Sequence, residues 1–562
     1  MTKLHKKQNN PADLDLVYKY HDQTKHHLHQ YARSLGYMDW ASQPNPFRNY
    51  EKTLMLPLDH PPVTEIPTYD SLFSRPPRQS AQINRESISH LFYESLAISA
   101  WKQAGDSRWS LRVNPSSGDL HPTEAYFIAG PIDDLNDAPA VFHYSPYKHA
   151  LEHRVTLRNE EWCEISRNMM ADLLLVALTS IYWRESWKYG ERAYRYCHHD
   201  VGHAIAAVTF AAATLGWQTK LIHSISDDEL ATLLGLHDQE GVEAEHPDCL
   251  LALFPADKKD SMAESIELPP AVIARLKNCQ FAGSPNTLSN SHHEWSIIDT
   301  VAATCRADRG YSLDTQHNQT IEKKPKNTLT KDRLISARRI IRGRRSAVSM
   351  DGSTSITKET FYTMMGHVTP TSKNNITEVL FWPAQISLAI FVHRVEGLPT
   401  GLYLLVRDPD HEPSLRKTLR PEFHWLKPAD CPDSIRLYLL AEVDARNTAR
   451  VVCCHQNIAA DGAFALGMLA AFDASLEQYG TPFYPRLFWE TGLIGQILYL
   501  EAEAAGIRST GIGCFFDDAM HDVLGIHDHS WQSLYHFTVG GPVEDPRIQT
   551  LPSYWYLKSH PS

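Results

Sequence analysis

Displaced by 290 positions, Tyr189 to His237 falls on Tyr479 to His527 without a gap. Twelve of the forty-nine paired positions are identical, namely Tyr189, Gly190, Tyr194, Gly202, Ala212, Gly216, Ile222, Asp227, Asp228, Leu234, Gly235 and His237. Unrelated sequences would share about three. A repeat of this length constrains the fold, because whatever unit one half builds the other must build too. In both copies a long apolar helix (Val201 to Leu215; Thr491 to Ala505) runs into a glycine suited to a left-handed C-cap. A strand-like run, an Asp-Asp turn and Leu-Gly-Leu-His or Leu-Gly-Ile-His follow.

A chain of 562 residues has room for two large domains or about three to four ordinary ones, and the duplication selects two. Between Ser284 and Lys331 the sequence turns polar and loses periodicity, apart from an apolar island at Ile297 to Ala303, and reads as a linker. The expected limits are an N-terminal extension 1–60, a domain 61–284, a linker 285–330 and a second domain 331–562. FHYSP, LYLLV, LALF and FTVGG are strand candidates, and IAADGAFALGMLAAFDASLEQ reads as a helix. Each half is therefore α+β, and the chain is expected to be an internal pseudo-dimer.

The balance of 54 basic against 66 acidic side chains argues against a dedicated nucleic-acid binder, whose footprint is a basic excess, and leaves room only for a local basic patch. The apolar stretches Ala171 to Trp183 and Ala204 to Trp217 fall short of the roughly 18–20 residues needed to cross a bilayer, and read as buried helices. MTKLHKKQNNPADLD has basic residues with no apolar core behind them, so neither a secretory signal nor a membrane anchor is expected. Nine cysteines without regular spacing form no disulfide framework, and a reducing cytoplasm is the expected location.

Three segments carry chemistry. Arg112-Val-Asn-Pro-Ser-Ser-Gly-Asp-Leu-His-Pro122 packs hydroxyls and a glycine into a turn that offers N–H groups to a polar ligand edge. Arg338-Arg-Ile-Ile-Arg-Gly-Arg-Arg-Ser346 supplies the guanidiniums and hydroxyl of a phosphate clamp. Thr510-Gly-Ile-Gly-Cys514 is a glycine loop that a ligand can approach closely. No G-x-G-x-x-G follows a strand, which argues against a built-in nicotinamide-binding unit.

Together with TKHHLHQYARSLGYMDWASQPNPFR, WKYGERAYRYCHHDVGH and RLFWETGLIGQILYLEAEAAGIRSTGIGCFFDD, these segments resemble the flavin-dependent nitroreductase superfamily, most closely the SagB-type azoline dehydrogenases and their tandem-domain relatives. The resemblance covers about residues 15–280 and 331–560. It implies two nitroreductase-like domains in tandem, with FMN at their interface. Arg344, Arg345, Ser346 and Arg547 resemble the phosphate-holding residues. Gly511, Ile512, Gly513 and Cys514 resemble the loop that meets the flavin ring. Pro115, Ser116, Ser117, Gly118 and His121 resemble the partner segment.

The complementary set has decayed. Arg78-Gln79-Ser80 stands where Arg-Arg-Ser is expected, Leu221-Ile222-His223-Ser224 replaces the glycine loop, and Pro383-Ala384-Gln385-Ile386 lacks the hydroxyls and the glycine. One composite site per chain is expected. The second half also departs from the family at Val348, where a basic residue is common.

Azoline dehydrogenases carry a Lys-Tyr pair that removes a proton while hydride goes to flavin N5, and the resemblance assigns Lys188 and Tyr189 to it. As a base, a lysine must have its pKa pulled down from about 10.4; Arg184 and Arg192 are close enough in sequence to do so. The repeat sets Gln478-Tyr479 opposite, so only the first half keeps the lysine.

Cys197, His198, His199 and His203 cluster, with His199 and His203 spaced i, i+4, but no second cluster at metal-ligand spacing completes a site. They are expected to be structural, and no metal is assigned. His21, His26, His27 and His29 read as a solvated N-terminal helix. The leading expectation is an FMN oxidoreductase acting on a small molecule or a peptide-borne heterocycle, with a maturation-complex partner in the peptide case and no nucleic-acid or membrane partner. The alternative is a non-catalytic scaffold or peptide-binding subunit of a modification complex, and bound flavin distinguishes the two.

Overall fold

The computed structural model describes residues 10–73, 80–166, 172–256, 266–308, 333–371 and 375–557. The duplication extends well beyond the forty-nine residues that reveal it in sequence. In the first sheet the strands lie in the order Met55–Pro57, Ala150–Thr156, Ala140–Ser145, Thr123–Ala129, Leu174–Ser180, His246–Pro255, Trp217–Ile222, and every neighbouring pair is antiparallel. In the second sheet the order is Leu437–Glu442, Gly401–Leu405, Ile386–Val392, Phe464–Ala471, Trp531–Gly540, Arg508–Ile512, again antiparallel throughout. Strand for strand, the second order matches the last six strands of the first. The fold is two α+β units in tandem, as the repeat requires.

Two long helices, Ala193–Thr214 and Tyr484–Ala504, join the units. Every residue of the first is buried, as expected of a helix packed on all sides. They cross at Gly202 and Gly492, which are repeat counterparts: a Cβ on Gly202 would lie 2.2 Å from Trp489 O, and one on Gly492 would lie 2.2 Å from His199 O. Around this point Trp489 Nε1 donates to His198 Nδ1 at 3.1 Å, and His199 Nδ1 pairs with Thr491 Oγ1 at 2.9 Å. His203 Nε2 lies 3.3 Å from Tyr535 Oη. These histidines stitch one half to the other.

Both chain ends cross between the units. Strand Gln549–Leu551 pairs with Ile98–Ala104 of the first half, and Tyr554 Oη donates to Pro146 O and accepts from Ile98 N. At the other end, helix Pro11–Gln23 leans on the second half: Tyr18 Oη donates to Asp473 Oδ1 at 2.7 Å, and buried His21 sits between Tyr484 Oη and Gln532 Oε1. The expected solvated histidine helix is corrected here. His21 and His26 are buried, and only His27 and His29 face solvent, because the segment docks instead of projecting.

Two further expectations change. In IAADGAFALGMLAAFDASLEQ only Ile458–Asp461 and Phe472–Tyr479 are helical; Phe464–Ala471 is a strand paired on both sides within the second sheet. Similarly, Leu174–Ser180 is a strand, and the helix starts only at Tyr182. A fully buried strand is apolar without alternation, so periodicity cannot separate it from a buried helix. The apolar island of the linker forms helix Ser296–Thr304, with Ile298 and Val301 buried.

Candidate functional site

The site is built around the turn that follows strand Ser107–Arg112. Gly118 has φ 64° and Asp119 φ 56°, a left-handed pair that folds the chain back toward strand Thr123–Ala129. His121 is the internal brace of this turn: its N–H donates to Ser116 Oγ at 2.8 Å, and its ring Nε2 pairs with Ser110 O at 3.0 Å. Burial and the Arg112 guanidinium hold the His121 imidazole neutral, well below its ordinary pKa.

Lys188 and Tyr189 close over the glycine. A Cβ on Gly118 would lie 2.8 Å from Lys188 Nζ and 2.7 Å from Tyr189 Oη, so only glycine leaves room for both tips. The arginines expected to act on Lys188 are committed elsewhere, which corrects that expectation. Arg184 donates to His121 O and Glu124, and Arg192 pairs with Asp517 at 2.9 Å. The charges facing Lys188 are carboxyls, those of Glu185 and Asp119.

Sequence reasoning missed these acids. Glu185 and Asp200 are buried, Ser116 faces both, and Ser117 N–H donates to Asp200 Oδ1 at 3.3 Å. Neither Glu185 oxygen nor Asp200 Oδ2 has a hydrogen bond of normal geometry among the described residues. Burial drives Asp200 up to about 8, with the nearby Asp119 carboxyl adding to the rise. Glu185 is pushed well above the carboxylate range by burial and by Asp200. Two signals were available. Glu185 lies one turn before Lys188 and Tyr189, a spacing that puts them on one helix face, and the repeat sets Asp200 opposite Glu490.

The second half contributes cations. After helix Ala337–Gly343 the chain extends, and Arg344 Nη2 reaches across to Arg112 O at 2.8 Å and Val113 O at 3.2 Å. Arg345 donates to the carbonyls of Arg342, Arg344 and Ser99. Among the described residues neither guanidinium has a carboxylate within ion-pairing distance. Burial, with Arg344 and Arg508 nearby, pulls Arg345 down to about 10. Lys102 of the first half faces Arg345 and Arg508. Asp119 faces Arg344, Lys188 and Lys102 together, and burial still raises it to about 6. Crowded cations bonded to carbonyls, with one weakened carboxyl between them, suit an anion that completes their hydrogen bonding.

Ser346 joins this group through Tyr499, whose Oη accepts from Ser346 Oγ at 3.0 Å and from Gly511 N at 2.9 Å. The glycines of the loop have a packing role as well. A Cβ on Gly511 would meet Tyr535 Oη at 1.9 Å, and one on Gly513 would meet the Tyr196 ring at 2.1 Å. Ile512 is buried beneath them, and Cys514 is half-buried at the loop end. Arg547 stands apart: its side chain is 86% exposed and bound to Asp545 at 2.6 Å, while Arg508 and Lys102 occupy the place beside Arg345.

At the repeat counterpart of the Pro115–Gly118 turn, Glu490 gathers several partners. Glu490 accepts from Gln385 N at 3.0 Å, Ile386 N at 3.2 Å and Trp382 Nε1 at 3.2 Å, and pairs with Arg407. His223 packs on Phe381 with ring centroids 4.6 Å apart. Arg78 and Gln79 lie outside the described residues, while Ser80 Oγ donates to Gly216 O at 2.8 Å. A cavity of about 300 Å³ lies nearby, lined by residues that include Tyr182, His198, Asp248 and Arg486.

The nitroreductase family model matches residues 83–251 and 425–541, just over half of the sequence, one segment in each half. The chain belongs to the nitroreductase family. A nitroreductase-named protein of Methanocaldococcus jannaschii is 24% identical over 188 residues, 32% of this chain and 89% of its own length. The crystal structure of a nitroreductase-named protein from Anabaena variabilis superposes with TM-score 0.67 at 21% identity, covering 94% of this chain and 99% of that one, so the tandem fold is shared over nearly the full length. A chain of the Escherichia coli microcin synthetase complex, solved with a truncated precursor bound, covers 44% of this chain and 94% of its own, with TM-score 0.26 and 15% identity.

Proposed function

We propose that the protein is an FMN-dependent oxidoreductase with one site per chain, of SagB-type dehydrogenase or nitroreductase-like activity, acting on a small electron-poor molecule or a peptide-borne heterocycle. The observation that carries this reading is the meeting of the two halves at Asp119, which faces Arg344 from one half and Lys102 and Lys188 from the other. Arg344, Arg345 and Ser346 would hold the cofactor phosphate by charge-assisted hydrogen bonds. The Pro115–Gly118 turn and the Gly511–Cys514 loop would flank the ring system. Bound FMN would supply the hydride chemistry. Lys188 Nζ and Tyr189 Oη would hold the substrate proton, with Glu185 and Asp200 behind them as carboxyls able to keep a proton near neutral pH.

Purified protein should be yellow. Lys188→Ala should lower turnover about 10² to 10⁴-fold while leaving flavin content unchanged, since proton transfer is worth that much and the lysine does not hold phosphate. Arg345→Ala should weaken flavin binding about tenfold to a hundredfold, and more than Arg78→Ala does. A colourless protein that FMN cannot reconstitute would support the non-catalytic reading.

A further inference from the structure

Two thiols meet at the end of the glycine loop. Cys514 Sγ lies 2.9 Å from Cys454 Sγ, although the residues are sixty positions apart. A disulfide is about 2.05 Å long, so bonding requires the sulfurs to close by about 0.9 Å. Both residues are half-buried, within reach of a small reagent. Cys454 and His455 hold successive positive φ angles of 53° and 59°, a costly turn for non-glycine residues, where the chain brings Cys454 to Cys514.

The surroundings divide the labour between the two sulfurs. Cys514 Sγ is hydrogen-bonded with Cys454 Sγ and interacts with His26, and with Arg192 nearby its thiol is lowered to about 5 against the opposing effect of burial. Cys454 is pushed up by the same contact and by burial, so it keeps its proton. One thiolate beside one thiol is the arrangement of an attacking and a resolving cysteine. The neighbouring Cys453 is fully buried, with its Sγ 3.2 Å from His536 Nδ1, and is excluded from the exchange.

We propose that Cys514 and Cys454 form a redox-active dithiol that closes to an intramolecular disulfide by exchange with a low-molecular-weight disulfide. The Cys514 thiolate attacks one sulfur of the reagent, forming a mixed disulfide and releasing one thiolate. Cys454 then loses its proton and attacks Cys514 Sγ, which releases the second. The two cysteines give up two electrons and the one proton of Cys454, and the reagent leaves as one thiol and one thiolate, the latter taking its proton from solvent. The bond ties the glycine loop to the turn after helix Arg446–Val452.

The test uses the full-length protein exposed to oxidised glutathione, followed by alkylation and mass spectrometry. With alkylation done after denaturation, since five of the cysteines are buried, seven of the nine should remain alkylatable. The intact mass should fall by two hydrogens, with a Cys454–Cys514 linked peptide that dithiothreitol cleaves. Cys454→Ser should trap a single glutathionyl group on Cys514, Cys514→Ser should trap none at this pair, and Cys453→Ser should still form the link. Nine alkylatable thiols in treated wild type, or a link through Cys453, would overturn the proposal. The wild-type arm decides the matter even if a variant fails to fold.

Discussion

Gly202 and Gly492 lie inside helices, where glycine costs about 1 kcal/mol relative to alanine. The repeat keeps both because the backbones touch there, with no space for a methyl group. Gly202→Ala should therefore destabilise the protein by about 1–3 kcal/mol, despite its better helix propensity, by forcing the two helices apart. Urea unfolding measures this, and an unchanged or higher midpoint would show that the crossing is looser than described. Asp200 gives a prediction of the opposite sign. Its carboxyl binds a proton more tightly in the folded chain, at about 8, than at the ordinary 3.8. Its contribution to stability is therefore complete below pH 4 and is lost as pH rises through about 8. Asp200→Asn, which can still accept from Ser117 N, should match wild type below about pH 4 and gain on it steadily as pH rises toward 8, by at least about 1–3 kcal/mol, the cost of an unsatisfied buried group. Melting temperatures across that range check the sign, and an advantage that shrinks with pH contradicts it.

How far each segment could be read in advance depended on what its partners are. The long helices, their left-handed glycines at 216 and 506, and strands such as Ala140–Ser145 and Gly401–Leu405 follow from local pattern. Phe464–Ala471 does not, because its strand character comes from pairing with Ile386–Val392 and Trp531–Gly540, which one apolar stretch cannot announce. The site divides similarly. The turn at Pro115, the arginines and the Lys-Tyr pair were visible as motifs, and Asp119, Tyr499 and Arg508 sit inside the segments that carry the resemblance without a role that sequence could assign, whereas Lys102 enters only because folding brings both halves to one place. The C-terminal strand is the extreme case, with its partner strand some 450 residues away in sequence. Tyr554→Phe should cost about 1–3 kcal/mol, because it leaves Ile98 N and Pro146 O without the hydroxyl that pairs them. Since the lesion lies between the units, a denaturation profile in which they separate before unfolding would place the loss at this arm, and a profile identical to wild type would show the arm to be dispensable.

Duplication within one chain frees the two interfacial sites to diverge, and here the divergence is legible in chemistry. On one side, guanidiniums rest on carbonyls, and carboxyls are buried without ion pairs to match them, an arrangement that a bound anion and a working proton site would justify. On the other, Glu490 is met by Arg407, Trp382 and two backbone N–H groups, and His223 packs against Phe381. That arrangement needs no ligand to satisfy it. The repeat makes the contrast sharper, since Asp200 and Glu490 are counterparts that each take an N–H from the turn beside them, yet among the described residues only Glu490 has an arginine within ion-pairing distance. The expected flavin content is therefore about one FMN per chain, where two intact sites would hold two. A ligand that binds only the folded state raises the melting temperature by mass action, and titration of apoprotein should saturate at a single equivalent, with a rise in melting temperature that Arg345→Ala reduces. A cavity of about 300 Å³ lies near Trp489, beside Glu490. Its described lining carries Arg306 and Arg486 beside Asp227, raised to about 6, and Asp248, pushed well up, both mainly by burial. Saturation at two equivalents, with the second lost on changing Arg486 and not Arg345, would mean that both interfacial sites still bind and that the decay is only in their chemistry.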